Sequence, residues 1–261
     1  MTAASDRLSD LDGVLDGLSS PAEALPDELF SLVDALDSTP TLRRVLADAA
    51  TPEDDRVALV ANLLAGRSAG AVTVATEAVK QHWPGGRRLA DALERQAVRA
   101  QLLASGDVDD VEDELFRLAR LVDANPGLRN ALADQARSLA DRQDLVSGLI
   151  TDRAAASTVK LARRAVAVRS RTFSATVETY VDLAAQLRNR TVATVRVARQ
   201  LDADQLGRLK TALSRQVGRD VSLQQIIDPE VLGGIRVEFG DEVIEGTIAA
   251  RVTEARRHFE T

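Results

Sequence analysis

The stretch from Leu29 to Arg67 returns 86 positions later, from Leu115 to Arg153, without a gap. Leu29-Phe30 recurs as Leu115-Phe116, Pro40 as Pro126 and Leu42-Arg43 as Leu128-Arg129. Leu46-Ala47-Asp48 recurs as Leu132-Ala133-Asp134, and Asp55-Arg56 as Asp141-Arg142. So many matches at one register exceed what compositional bias supplies, and a repeat found first governs how the rest is read. Whatever the first copy folds into, the second should fold into as well.

Within each copy the apolar spacing is helical. Leu29, Leu32, Val33 and Leu36 fall at i, i+3, i+4 and i+7, as do Leu115, Leu118, Ala119 and Val122. Pro40 and Pro126 stand where this pattern breaks and suit the first turn of a following short helix, with Thr39 and Asn125 as caps. A further helix is expected through Leu59, Val60 and Leu63, and again through Leu145, Val146 and Leu149. The duplicated unit therefore reads as a small helical bundle. Between the copies, His82-Trp83-Pro84-Gly85-Gly86 is the candidate joint, since Pro and a Gly pair end helices and permit bending. Trp83 reads as a packing residue there. Leu89, Leu93, Ala97, Ala100 and Leu103 then form a narrow helical stripe that ends at Gly106-Asp107.

The C-terminal third changes period. Thr191 to Ala198 is rich in β-branched residues and reads as a strand. Asp202 with Gln205 three positions on makes a capping box for a helix whose buried stripe is Leu206, Leu209, Leu213 and Val217, with Gly218 ending it. After Asp228-Pro229 and the Gly233-Gly234 pair comes a strand with Ile235, Val237 and Phe239 on one face and Arg236 and Glu238 on the other. Gly240-Asp241 suits a hairpin turn. An amphipathic helix with Ile248, Val252, Ala255 and Phe259 on one face is expected to close the chain. The fold class is mainly α: two tandem duplicated helical bundles, then a small C-terminal α+β domain.

Composition narrows the chemistry. The chain has 261 residues, 45% of them hydrophobic, enough for two or three domains. Aromatics are only 3%, which favours closely packed helices over a large ligand-enclosing core. Cysteine is absent, so disulfides and thiolate chemistry are excluded. His82 and His258 have no second imidazole at metal-ligand spacing and read as surface or helix-end residues. No Lys follows a glycine, so a phosphate-cradling Walker loop is missing, and Gly-x-Ser-x-Gly and His-Glu-x-x-His are missing too. Glu53-Asp54-Asp55 and Asp109-Asp110 sit near expected helix starts and complement the helix dipole rather than forming a catalytic pair. No catalytic, cofactor-binding or metal residue is expected, and no small-molecule ligand.

The net charge of −7 argues against a nucleic-acid partner. It is unevenly placed. Residues 1 to 60 carry thirteen acids against four bases, whereas Arg153, Lys160, Arg163, Arg164, Arg169 and Arg171 form an acid-free run. That run reads either as a solvated helix face or as a docking face for an acidic partner. No window reaches the roughly 18 apolar residues of a membrane span, so membrane contact is expected only through partners.

From about residue 88 to 260 the order of elements and the Asp228 to Asp241 pattern resemble the delta subunit of bacterial ATP synthase, the family that includes the mitochondrial oligomycin-sensitivity-conferring protein. Typical members have one helical bundle; the second copy here is similar to enlarged subunits of actinobacterial relatives. The resemblance implies domains at 1–86 (the extra bundle), 87–190 (the family's bundle) and 191–261 (a stalk-binding α+β domain). It also implies a non-catalytic stator of a proton-translocating F-type synthase, at the cytoplasmic face of the cell membrane. The partners it implies are the N-terminal helix of an alpha subunit in the catalytic head and the b-type peripheral-stalk subunits. Leu93, Ala97, Ala100, Lys160 and Arg164 are the candidate head contacts, and Val231, Leu232, Ile248 and Phe259 the candidate stalk contacts. A free-standing helical adaptor that binds amphipathic partner helices is the alternative.

Overall fold

The computed structural model describes residues 3–18, 23–188, 191–217, 221–228, 234–239 and 242–247. The chain divides into two compact units, one of Met1–Leu11 with Pro21–Arg188, the other of Asp12–Ser20 with Asn189–Thr261.

After an N-terminal helix α1 (Ala3–Asp16), the first copy of the repeat forms α2 (Leu25–Ser38), α3 (Pro40–Ala47), α4 (Glu53–Leu63), α5 (Ala69–Lys80) and α6 (Gly86–Leu103). The second forms α7 (Val108–Ala124), α8 (Pro126–Ala133), α9 (Leu139–Ile150), α10 (Ala156–Ala167) and α11 (Phe173–Arg188). The repeat thus extends through two more helices per copy than the sequence matches revealed, and the shift grows from 86 to 87 positions after α9. Each copy buries the same positions. Leu32, Leu36, Leu46, Val60, Ala75 and Val79 in the first core answer to Leu118, Val122, Leu132, Val146, Ala162 and Val166 in the second. A fully buried Leu or Val stabilises the fold by about 2 kcal/mol, so this set alone explains why both copies hold one architecture.

Local chemistry sets the helix ends. Pro40 and Pro126 open α3 and α8, where a missing N–H costs nothing. Thr39 and Asn125 occupy the cap positions, but neither side chain caps; the Asn125 amide instead donates to the Leu121 carbonyl at 2.6 Å. Working caps are Asp107 on α7, Ser138 on α9 and Ser68 on α5. The acids of Glu53-Asp54-Asp55 and Asp109-Asp110 lie in the first turns of α4 and α7, where the helix dipole favours them. A deeper device appears in both copies. Glu28 on α2 accepts from the N–H and hydroxyl of Ser68 at the start of α5, and Glu114 on α7 accepts from the Ala155 N–H and the Thr158 hydroxyl at the start of α10.

Helix α6 is shared. It packs on α2, α3 and α5 as the last helix of the first bundle, and it also contacts α7, α10 and α11 of the second. Eleven of its residues are buried, including Gln96, Arg99 and Gln101, because it has core on most of its circumference. The boundary expected at residue 86 therefore falls at the start of a helix that both bundles use. His82–Gly86, expected as the joint between copies, is the corner between α5 and α6. The chain passes from one copy to the other at Ala104–Asp107, where Gly106 takes φ 79°. Trp83 packs in the first core as expected, 5% exposed, its indole donating to the Ala78 carbonyl at 2.7 Å. Gly86 is required for its size, since a Cβ there would lie 2.6 Å from the Arg43 carbonyl oxygen.

In the second unit β1 (Thr191–Val197), α12 (Ala203–Val217) and β2 (Val221–Ile227) form a strand, helix, strand crossover with β1 and β2 parallel. β3 (Gly234–Phe239) pairs antiparallel with β1 and with β4 (Glu242–Thr247), giving the order β2-β1-β3-β4. Val195, Val197, Leu213, Val221 and Val237 form its core. The capping box is present in both directions: Gln205 N–H to Asp202 at 2.7 Å, and Asp202 N–H to Gln205 at 3.0 Å. Of the expected stripe on α12, Leu213 is buried and Leu206 and Leu209 are half-buried. Phe239 is the partner of Glu242 at the end of the β3–β4 ladder. Gly218, Gly240-Asp241 and the closing helix through Ile248 and Phe259 lie outside the described residues.

Candidate partner-binding surfaces

The basic run of the second copy meets the acidic first copy inside the molecule. Arg164 on α10 donates to Glu94 on α6 at 2.6 Å and to Asp34 on α2 at 2.6 Å, with its guanidinium 4.8 Å over the Phe30 ring. Tyr180 on α11 donates to the same Glu94 at 2.7 Å. Burial, which by itself would lower the Arg164 pKa, is outweighed by these carboxylates, and the pKa is raised. Lys160 pairs with Asp27 at 3.1 Å and Arg163 with Asp144 at 2.9 Å. Lys160 and Arg164, expected as contacts for an acidic partner, therefore take their acids from the chain's own first bundle. The uneven charge is in part a bundle-to-bundle interface.

The remaining head candidates fall in the core. Leu93 and Ala97 are 0% exposed and Ala100 is 7% exposed. Ala97 and Ala100 admit neighbouring helices of this chain, which is the close approach the stripe suggested, and nothing outside the chain reaches Leu93 or Ala97 in this conformation. Val231, Leu232, Ile248 and Phe259 lie outside the described residues. His82 is exposed, and His258 is also outside them.

What sequence reading missed is a cleft of about 530 Å³ between α6 and α11. It is lined by the half-buried Leu8 of α1, Val168 and Thr179 and by the buried Ala92, Thr176, Tyr180 and Leu183. Arg7, Arg88, Arg95 and Arg171 also line it with Asp91, Glu94 and Asp182, four cations against three carboxylates. Arg7 lies over the Trp83 ring at 5.6 Å. Along α11 the lining runs from Thr176 to Gln186, about 16 Å of helix, or about three turns. An apolar-walled channel of that length with a charged rim suits an amphipathic helix in a groove. The signal in sequence was the repeat itself: α11 answers to α6, but of Phe173, Val177, Tyr180 and Ala184 only Ala184 keeps the residue type of its counterpart among Gly86, Ala90, Leu93 and Ala97.

Among the described residues no helix is long and apolar enough to cross a membrane, and no group of three or more His, Asp or Glu could hold a metal ion.

Residues 87–259 match the family model described as ATP synthase delta (OSCP) subunit. The chain is 44% identical to ATP synthase subunit delta of a Nocardioides species over 90% of its length and 86% of the relative's. It is 42% identical to the subunit so named in Streptomyces avermitilis, over 95% of this chain and 92% of that one. With the Streptomyces coelicolor protein of that name it shares 40% identity over 98% of this chain and 94% of the relative. The family model begins at α6, but these actinobacterial relatives align across the first bundle too.

Proposed function

Because the chain belongs to the ATP synthase delta (OSCP) subunit family, we propose that it is a non-catalytic peripheral-stalk subunit of a proton-translocating F-type synthase, tying the catalytic head to the b-type stalk subunits. The family match over residues 87–259 carries this reading. The work is mechanical. A turning central shaft drags the head with it unless an outer strut holds the head still, and a strut needs contacts that stay bound under torque rather than a reactive group. Two bundles joined through a common helix and a buried Arg164 clamp are suited to that load.

On this reading the α6–α11 cleft receives the amphipathic N-terminal helix of an alpha subunit, with the half-buried Leu8 and Val168 as apolar contacts and the arginines setting register. The C-terminal unit engages the b-type subunits, with Val231, Leu232, Ile248 and Phe259 as the contacts the resemblance nominates. The chain then works at the cytoplasmic face of the cell membrane, held there by its partners. The test is binding of the purified chain to catalytic head with the alpha N-terminal segment intact or removed. Binding should be lost on removal and should weaken with Arg171→Glu on the exposed edge of the cleft; binding indifferent to both overturns the assignment.

A further inference from the structure

We propose that the face of α7 centred on Phe116 and Arg120 is a second docking site, for an acidic amphipathic helix of another subunit. This rests on the stator reading only for where the partner is to be sought.

The repeat supplies the argument. Phe30 on α2 and Phe116 on α7 are the same position in the two copies, yet Phe30 is 8% exposed and Phe116 48%. The difference is what covers them. Phe30 lies beneath α10 of the second bundle, which places Arg164 over the ring and against Asp34. Among the described residues no third bundle follows the second, and Phe116 faces solvent on α7 with Glu112, Asp113 and Arg120 as its neighbours one turn away. The charge at the position of Asp34 is reversed: it is Arg120, which lies over Phe116 at 5.2 Å. Arg117 is already paired with Asp113, whereas Arg120 has no ion-pair partner among the described residues.

The second copy thus holds the aromatic ring and the cation of this contact on its own helix and lacks the carboxylate. A helix that covers Phe116 as α10 covers Phe30 must carry Asp or Glu where α10 carries Arg164, next to small or apolar residues that pack on the ring. The chain's own candidate is Glu77 on α5, which the repeat places at the position of Arg164, but it is engaged by Lys80 at 2.6 Å. That favours another subunit over a second copy of this chain.

The test places photocrosslinking benzoylphenylalanine at position 116 of the full chain in the assembled synthase, with mass spectrometry of the crosslinked peptide. Position 116 is exposed, so folding should be unchanged by circular dichroism. The expected product joins position 116 to a helical segment of another synthase subunit with an Asp or Glu within one turn. Its yield should fall at least about tenfold with Arg120→Glu and survive Arg120→Lys. Absence of a crosslink, a crosslink to a second copy of the chain or to a segment without a carboxylate, or a yield indifferent to Arg120→Glu each overturns the proposal. Co-purification of the chain with head and stalk subunits in the same samples keeps a failure here distinct from failure of the stator reading.

Discussion

Arg164 and Asp34, 130 positions apart in the chain, meet at 2.6 Å and tie the second bundle to the first. The contact is supported from below by Glu94 on the shared helix, itself held by Tyr180. Arg164 is 9% exposed in its side chain and Glu94 16%, so the pair sits largely out of water while Asp34, at 63%, closes it from outside.

Removing one member of that cluster leaves a buried charge without its partner. Arg164→Ala should lower unfolding free energy by about 3 kcal/mol, whereas Asp34→Ala should cost under about 1 kcal/mol because its side chain is mostly solvated. Urea unfolding of each variant measures both. Equal losses would mean that the inner pair with Glu94 is not the part that matters.

Tyr180 gives a pH dependence. Burial first, then the neighbouring Glu94 carboxylate, push its pKa well above the ordinary value. The folded chain therefore holds the phenol proton more tightly than the unfolded chain does. Stability from this group is complete below the unfolded phenol's pKa of about 10 and declines as pH rises beyond it. Tyr180→Phe should flatten that alkaline decline in melting temperature, and an unchanged decline would assign it to other groups.

Glu28 and Glu114 perform one task in two bundles, each closing the N-terminus of the next-to-last helix of its copy. Glu28→Ala and Glu114→Ala should each cost about 1 kcal/mol or somewhat more, and the double variant should show the sum. A loss in one copy only would show that the pseudo-equivalence is geometric without being energetic.

Ala97 separates packing from partner contact. With 0% exposure on α6, Ala97→Arg should lower stability by about 4 kcal/mol, through overpacking and a buried charge, and take helical content with it on mild heating. A variant that folds normally and loses only head binding would place Ala97 on an accessible surface after all.

How far the sequence carried can be read from these same residues. Leu32 and Leu118, or Val60 and Val146, announce themselves because helical periodicity and a fixed shift are both local properties of the string. So does the Asp202–Gln205 box, since its two halves are three residues apart. α5 and α10 leave only a faint trace in the string because Ala75 and Ala78, or Ala162 and Ala165, are small residues whose stripe fades into an Ala-rich background. The assignment of His82–Gly86 as the joint followed correct local chemistry; Pro84 and Gly86 do end one helix and begin another. What it could not contain is that α6 serves two cores, which depends on helices on either side of it in the chain. Arg164 is legible as part of a basic run, but its acids lie 70 and 130 positions away, and only the packing of α2, α6 and α10 brings them together.

The most direct test of the stator account is affinity capture of the tagged full chain from its own mildly solubilised membranes, followed by native mass spectrometry of the recovered assembly. The account predicts a complex with catalytic-head and b-type stalk subunits that holds one copy of this chain. Recovery of the chain alone, or with soluble proteins unrelated to the synthase, would contradict it.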